Sequence, residues 1–258
     1  MSQLKKGAIL SYGNILLTNI IGLVITPFMI NALGDSEYGL YTLIGSLIAY
    51  FSLMDLGLNN TIIRFVAKYR AEKDKKGEEN FLVTIMLIYL GISLLVFFLG
   101  VWAYFNLENL FGHTLTIDEL YKAKIMFIIL IFNVVISIPG GSFFAISSGY
   151  EKFVYPRVLI IIKYLVRSAS LVIVLIFDGD AVSIVILDTI VNVIFLLLNG
   201  IYVFRNLKVK FKFHFLSKSL FREIFTYSIW IFALAIFSQF QWKSGQLVLG
   251  MLKDTTTV

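Results

Sequence analysis

VLIIIKYLVRSASLVIVLIF, residues 158–177, is an apolar run interrupted by two cations, Lys163 and Arg167. About 20 apolar residues are what one helix needs to cross the roughly 30 Å hydrocarbon layer of a bilayer. Residues four apart share a helix face. A cation at the membrane centre costs roughly 2.5–3.5 kcal/mol on insertion scales, so that face must look onto protein or water rather than lipid. This stretch therefore predicts a crossing helix that borders a polar interior.

Comparable apolar runs recur at 8–33, 38–66, 81–105, 125–148, 154–177, 181–204 and 224–250. They are continuous, whereas barrel strands alternate over about ten residues. The expected fold is all-α, a polytopic membrane helical bundle with seven spans. Hydrophobic residues make up 59% and charged residues 15% of the 258 positions, and the mean hydropathy is +0.87; a soluble domain does not have this balance. The first run is too long for a signal peptide and lacks a small-residue cleavage pattern, so it is read as retained. With no cysteine, disulfides and thiolate metal sites are excluded.

The net charge of +6 is placed by topology rather than by nucleic acid. Of the 22 Lys and Arg, 15 lie at Lys5–Lys6 and in three connections, 68–76, 151–157 and 205–222. The alternate connections, near Asp35, at 106–124 and at 178–180, are acidic. The positive-inside rule then places the N-terminus in the cytoplasm, with membrane lipids as neighbours and no nucleic-acid partner.

Helical rise of about 1.5 Å per residue sets the depths of the intramembrane charges. From an inner end near Val154, Lys163 lies about 14 Å deep and Arg167 about 20 Å. Asp188 lies about 24 Å from the inner end of its span and Asp55 about 18 Å, so two carboxylates share the level of two cations. Asp188, Asn192 and Asn199 share a face, with Asn192 one turn below Asp188 and nearer Lys163. Two readings stay open: a buried ion-pair network that fixes packing, or a hydrated cavity where Lys163 and Arg167 meet an anion, the guanidinium fork suiting phosphate oxygens. Lys243, about 10 Å from the outer end of its span, and Arg64 are near enough to an interface to snorkel.

A polar stripe, Ser11, Asn14, Thr18 and Asn19 with Gly22 and Thr26, marks the first span. Ser238, Gln239, Gln241 and Gln246 mark the seventh. Each such residue can serve as helix-contact glue; together they suit the walls of a wet cavity. Pro27, and Pro139 with Gly140 and Gly141, predict bends in spans one and four.

Asn14, Pro27, Leu33-Gly34, Glu37-Tyr38-Gly39-Leu40-Tyr41, Asp55-Leu56-Gly57-Leu58 and the basic RFVAKYRAEKDKKGEEN (64–80) resemble the N-terminal region of Wzx-type oligosaccharide flippases. These are polysaccharide biosynthesis proteins of the multidrug/oligosaccharidyl-lipid/polysaccharide exporter superfamily. The resemblance implies two six-helix lobes around a central cavity and alternating-access export of a polyprenyl-pyrophosphate-linked oligosaccharide across a bacterial or archaeal cytoplasmic membrane. It implies a lobe at 1–215 and the start of a second at 216–258, since ALGDSEYGLYTL (32–43) after span one is echoed by MLKDTTTV (251–258) after span seven. The expectation is that the chain stops inside a second copy. Lys163, Arg167, Asn14, Asn192 and Lys243 are the expected substrate contacts, and Asp55 and Asp188 the expected coupling or ion-pair residues. A glycan polymerase and other assembly proteins are candidate partners.

Two rival functions differ in their chemistry. A drug or cation exchanger of the same superfamily wants a membrane carboxylate for coupling, and the first span has none, although Asp55 and Asp188 are available. A membrane glycan polymerase or glycosyltransferase needs positioned acids, bases or metal ligands. The two histidines, His113 and His214, fall in loops, and Glu108, Asp118 and Glu119 show no metal-ligand spacing. The sequence thus predicts no enzyme, catalytic residue, metal or cofactor.

Overall fold

The computed structural model describes residues 3–112, 114–214 and 218–252, and side chains at all of these but 4, 52, 53, 235, 236 and 238–252. Among them every regular element is helical: α1 (Gln3–Ser52), α2 (Leu58–Ala71), α3 (Lys75–Phe111), α4 (Ile117–Gly149), α5 (Val154–Ile176), α6 (Ala181–Ile201) and α7 (Lys218–Leu252). A 3-10 turn at Leu53–Asp55 precedes α2, and a π turn at Tyr202–Asn206 extends α6. Five of these stretches are long and apolar enough to cross a membrane: Lys5–Phe51, Lys75–Phe111, Ile117–Gly149, Val154–Ile176 and Ala181–Asn206.

The 50 residues of α1 would run to roughly 75 Å, more than twice the thickness of the hydrocarbon layer. Gly34, at φ 77° and ψ 164°, breaks the helix into two arms; without a Cβ this positive φ is readily adopted. The second arm runs into the 3-10 turn, then Leu56 at φ 53° and Gly57 at φ 71°, before α2 resumes. The expected span 38–66 is therefore a broken helix, with Asp55 at the break.

The bends expected at Pro27 and Pro139 are not breaks. Both prolines sit inside continuous helices, since losing one N–H can be absorbed by neighbouring groups. Two successive residues in the left-handed region cannot be absorbed, so the interruption falls at Leu56-Gly57 instead.

Helices in lipid gain little from apolar burial alone and associate through close packing and hydrogen bonds. α4 occupies the centre, packed against α1, α2, α3 and α6. Small residues allow the approach: a Cβ on Gly149 would lie 2.8 Å from Val66 Cβ, and one on Gly100 would lie 2.7 Å from Ile131 Cγ2. Phe65 stacks on Phe81 with ring centroids 5.0 Å apart. The buried hydroxyls of Thr61 and Ser228, 2.8 Å apart, join α2 to α7, and Ser93 donates to the Val135 carbonyl at 3.0 Å. Leu23, Trp102 and Phe105 stand exposed on the periphery, as befits side chains that meet lipid.

Candidate functional site

α5 presents Lys163 and Arg167 on one face, and α6 returns beside it after a short turn. Arg167 lies ten residues before Phe177 and Asp188 ten after Asp178; Lys163 and Asn192 lie fourteen before and after. Antiparallel helices joined at that turn bring both pairs level. Arg167 Nε donates to Asp188 Oδ1 at 2.6 Å and Nη2 to Oδ2 at 2.8 Å, a bidentate pair. Nη2 also donates to the Tyr41 hydroxyl at 3.2 Å, and that hydroxyl donates to Asp188 Oδ2 at 3.3 Å.

Lys163 differs from its neighbour. Its Nζ donates to Asn192 Oδ1 at 2.6 Å, and among the described residues it forms no ion pair. Asn192 in turn donates to Asn133 Oδ1 at 2.6 Å and Ser137 Oγ at 2.7 Å, and Asn133 donates to Thr189 at 3.1 Å. Asn133 and Ser137 are one turn apart on α4, so three helices hold the amide that receives the ammonium.

These groups surround a cavity of about 540 Å³, whose walls include Lys163, Arg167, Asp188, Asn192, Asn133, Ser137, Asp55 and Asn59. The break before α2 supplies the last two. Asn59 Nδ2 donates to Asp55 Oδ1 at 3.1 Å, and the Tyr89 hydroxyl donates to Asn59 Oδ1 at 3.2 Å. Asp55 is in no ion pair among the described residues. The expected two-on-two pairing of charges is thus half realised: Asp188 holds Arg167, whereas Asp55 binds an amide and Lys163 another.

Asn14 does not join this cavity; it is on the first arm of α1, its Oδ1 buried without a hydrogen-bond partner. The rest of that stripe turns to its own backbone, Ser11 donating to the Gly7 carbonyl and Thr18 and Asn19 to that of Ile15. Lys243 and the Ser238, Gln239, Gln241 and Gln246 side chains lie outside the described residues. Arg64 lies 4.2 Å above the Tyr227 ring of α7. His214 Nε2 meets Glu79 Oε2 at 2.9 Å; His113 is outside the described residues. Among those residues no three His, Asp or Glu side chains converge to hold a metal. Tyr41, Asn59, Asn133 and Ser137 were not among the expected site residues; the four-residue spacing of Asn133 and Ser137 within one apolar run was the available signal.

On the acidic side, Lys122 of α4 bridges Glu37 and Asp180, the latter at 3.4 Å, and Glu37 Oε2 accepts from the Ala181 N–H at 2.9 Å. This clasp joins the ends of α4 and α6 to the second arm of α1. Burial raises the Asp180 pKa, but the N–H and hydroxyl of Ser183 and the Lys122 ammonium outweigh it and hold the carboxyl below its ordinary value.

Residues 4–258 match the family described as polysaccharide biosynthesis protein. The chain belongs to that family. No curated protein is similar enough to match this family member. Its fold is similar to a solved MOP superfamily transporter from Pyrococcus furiosus, described as having a binding pocket of reverse polarity that suggests a different function. The TM-score is 0.60 at 14% identity, over 87% of this chain and 51% of that one. The family member spans about half the length of that transporter and shares its helical membrane-transporter fold.

Proposed function

We propose that this chain is the first lobe, residues 1–215, and the start of the second lobe of a flippase that moves a polyprenyl-pyrophosphate-linked oligosaccharide outward by alternating access. It would sit in the cytoplasmic membrane with its N-terminus inside, alongside a glycan polymerase and other assembly proteins. The observation that carries this reading is Lys163. Its ammonium lies on the wall of a mid-membrane cavity, held by one amide and by no carboxylate among the described residues, so two of its three N–H donors remain for an anion. Arg167 plays a second part. Its Nε and Nη2 are engaged by Asp188 and Tyr41, leaving Nη1 as the edge that can reach a phosphate oxygen. Asn192 positions Lys163, and Lys243 is a secondary contact, whereas Asn14, outside the cavity, is left without that role.

Asp55 favours a coupling role within the same cycle, because its carboxylate lines the cavity at the helix break and pairs with no cation among the described residues. That observation also supports the rival reading, a cation-coupled drug exchanger. The test is export of lipid-linked oligosaccharide by the full-length protein. Lys163→Gln should insert and fold normally yet abolish export, whereas Asp55→Asn should slow export and remove its dependence on an ion gradient. Normal export by Lys163→Gln would overturn the anion-site reading.

A further inference from the structure

We propose that a second pocket, formed where the α2–α3 connection meets the segment after α6, is a binding site for a phosphate group presented at the basic face of the membrane. It does not depend on the transport reading above.

The pocket encloses about 370 Å³ and its walls include Arg70, Lys73, Lys75, Lys208, Glu78 and Tyr150. Four cations thus face one carboxylate. Positive-inside topology explains why lysines and arginines crowd these loops, but not why residues 130 positions apart converge on one hollow. Helix ends bring two of them there: Lys73 at φ 57° and Lys208 at φ 54° are the left-handed residues just past α2 and the π turn, where the Asp74 N–H reaches the Tyr69 carbonyl at 2.9 Å and the Val209 N–H that of Val203 at 3.3 Å, closures that fix a helix C-terminus.

The remaining contacts keep the cations available. The Arg70 guanidinium lies 3.8 Å above the Tyr150 ring, which fixes its plane. The Tyr150 hydroxyl donates to Glu78, and Glu78 is only 7% exposed, so the single carboxylate is occupied by a neutral donor. Among the described residues, Arg70, Lys73, Lys75 and Lys208 are in no ion pair. Lys75 stands in the first turn of α3, whose N-terminus is capped by the Asp74 carboxylate accepting from the Gly77 N–H at 2.9 Å. A compact, multiply charged, oxygen-rich anion matches this arrangement of one planar fork and three point charges.

The test is native mass spectrometry of the full chain in neutral detergent, titrated with dioctanoyl phosphatidic acid, with dioctanoyl phosphatidylcholine as the uncharged comparison and inorganic pyrophosphate as competitor. Phosphatidic acid should bind at least tenfold more tightly than phosphatidylcholine. Each lysine near a membrane surface contributes about fivefold, so Lys73→Gly with Lys208→Gly, which suits both left-handed positions, should weaken binding about 25-fold. Lys75→Gln leaves both turns untouched and should weaken it about fivefold, so the test survives if the double variant folds poorly. Competition by pyrophosphate assigns the phosphate to a soluble anion, and indifference to pyrophosphate assigns it to a lipid headgroup. Equal binding of the two lipids, or unchanged affinity in both folded variants, would overturn the proposal. So would binding abolished by Lys163→Gln instead, which would place the phosphate in the central cavity.

Discussion

Arg167→Gln and Lys163→Gln each remove one positive charge from the central cavity, and the structure gives them different costs. Without Arg167, the Asp188 carboxylate loses two hydrogen bonds of 2.6 and 2.8 Å and keeps only the Tyr41 hydroxyl at 3.3 Å. Breaking a fully buried pair from one side costs about 3–5 kcal/mol. The two side chains here retain 26% and 19% of their exposure, and solvent in the cavity screens the stranded charge, which lowers the expectation to about 2 kcal/mol. Without Lys163 no charge is stranded, because Asn192 keeps Asn133 and Ser137; that change should cost about 0.5 kcal/mol or less. At roughly 2–4 °C per kcal/mol for a chain of this size, Arg167→Gln should lower the unfolding midpoint in detergent by about 4–8 °C and Lys163→Gln by under about 2 °C. Adding Asp188→Asn to Arg167→Gln should recover most of the loss. Equal destabilisation by the two single changes, or no recovery in the double variant, would refute the division of roles between strut and anion contact.

Exchanging the charges, Arg167→Asp with Asp188→Arg, should restore folding but not export, measured by unfolding and by surface glycan; normal export would mean that the pair serves packing alone. Reporters fused after Lys76 or Lys212 should read cytoplasmic and those after Glu108 or Asp180 external, and inverted signals would reverse the depth assignments. Single cysteines at Asn133 or Ser137 in this cysteine-free chain should react with a water-soluble maleimide, whereas one at Ser93, buried against the Val135 carbonyl, should not. Asp180 has a depressed pKa in the folded protein, so its stabilisation is present above the unfolded value of about 3.9 and fades as pH falls through the folded one. Asp180→Asn should therefore lower stability in the neutral region, flatten the acid limb of a stability-versus-pH curve and leave the most acidic region little changed.

The crossings and the α5–α6 pairing were legible in the sequence because both follow from rise per residue and from the cost of charge in lipid. Arg167 facing Asp188, and Lys163 facing Asn192, needed only depths and helix faces. The break at Leu56-Gly57 was not legible: Asp55-Leu56-Gly57-Leu58 carries no proline and reads as a continuous apolar span, while the prolines that do occur sit in helices that absorb them. Asp55 nonetheless lines the same cavity as Lys163 and Arg167, although its partner is Asn59, one turn on, rather than a cation. The local hydrogen bonds of the polar stripe in the first span were not legible for another reason. Small hydroxyl and amide side chains can satisfy themselves on the backbone of the preceding turn, and composition alone does not reveal whether they do.

The balance of charge on the cavity wall has an electrical consequence. Lys163 and Arg167 are matched in formal charge by Asp55 and Asp188, so in the alternating-access cycle proposed above an empty cavity would carry no net charge through the voltage drop. Loaded with a doubly charged anion, the same movement is favoured outward, in a cell negative inside, by about 4–5 kcal/mol per 100 mV. Membrane voltage would then drive the loaded stroke and leave the empty return untouched, making the direction of transport a property of the cargo's charge rather than of the protein's.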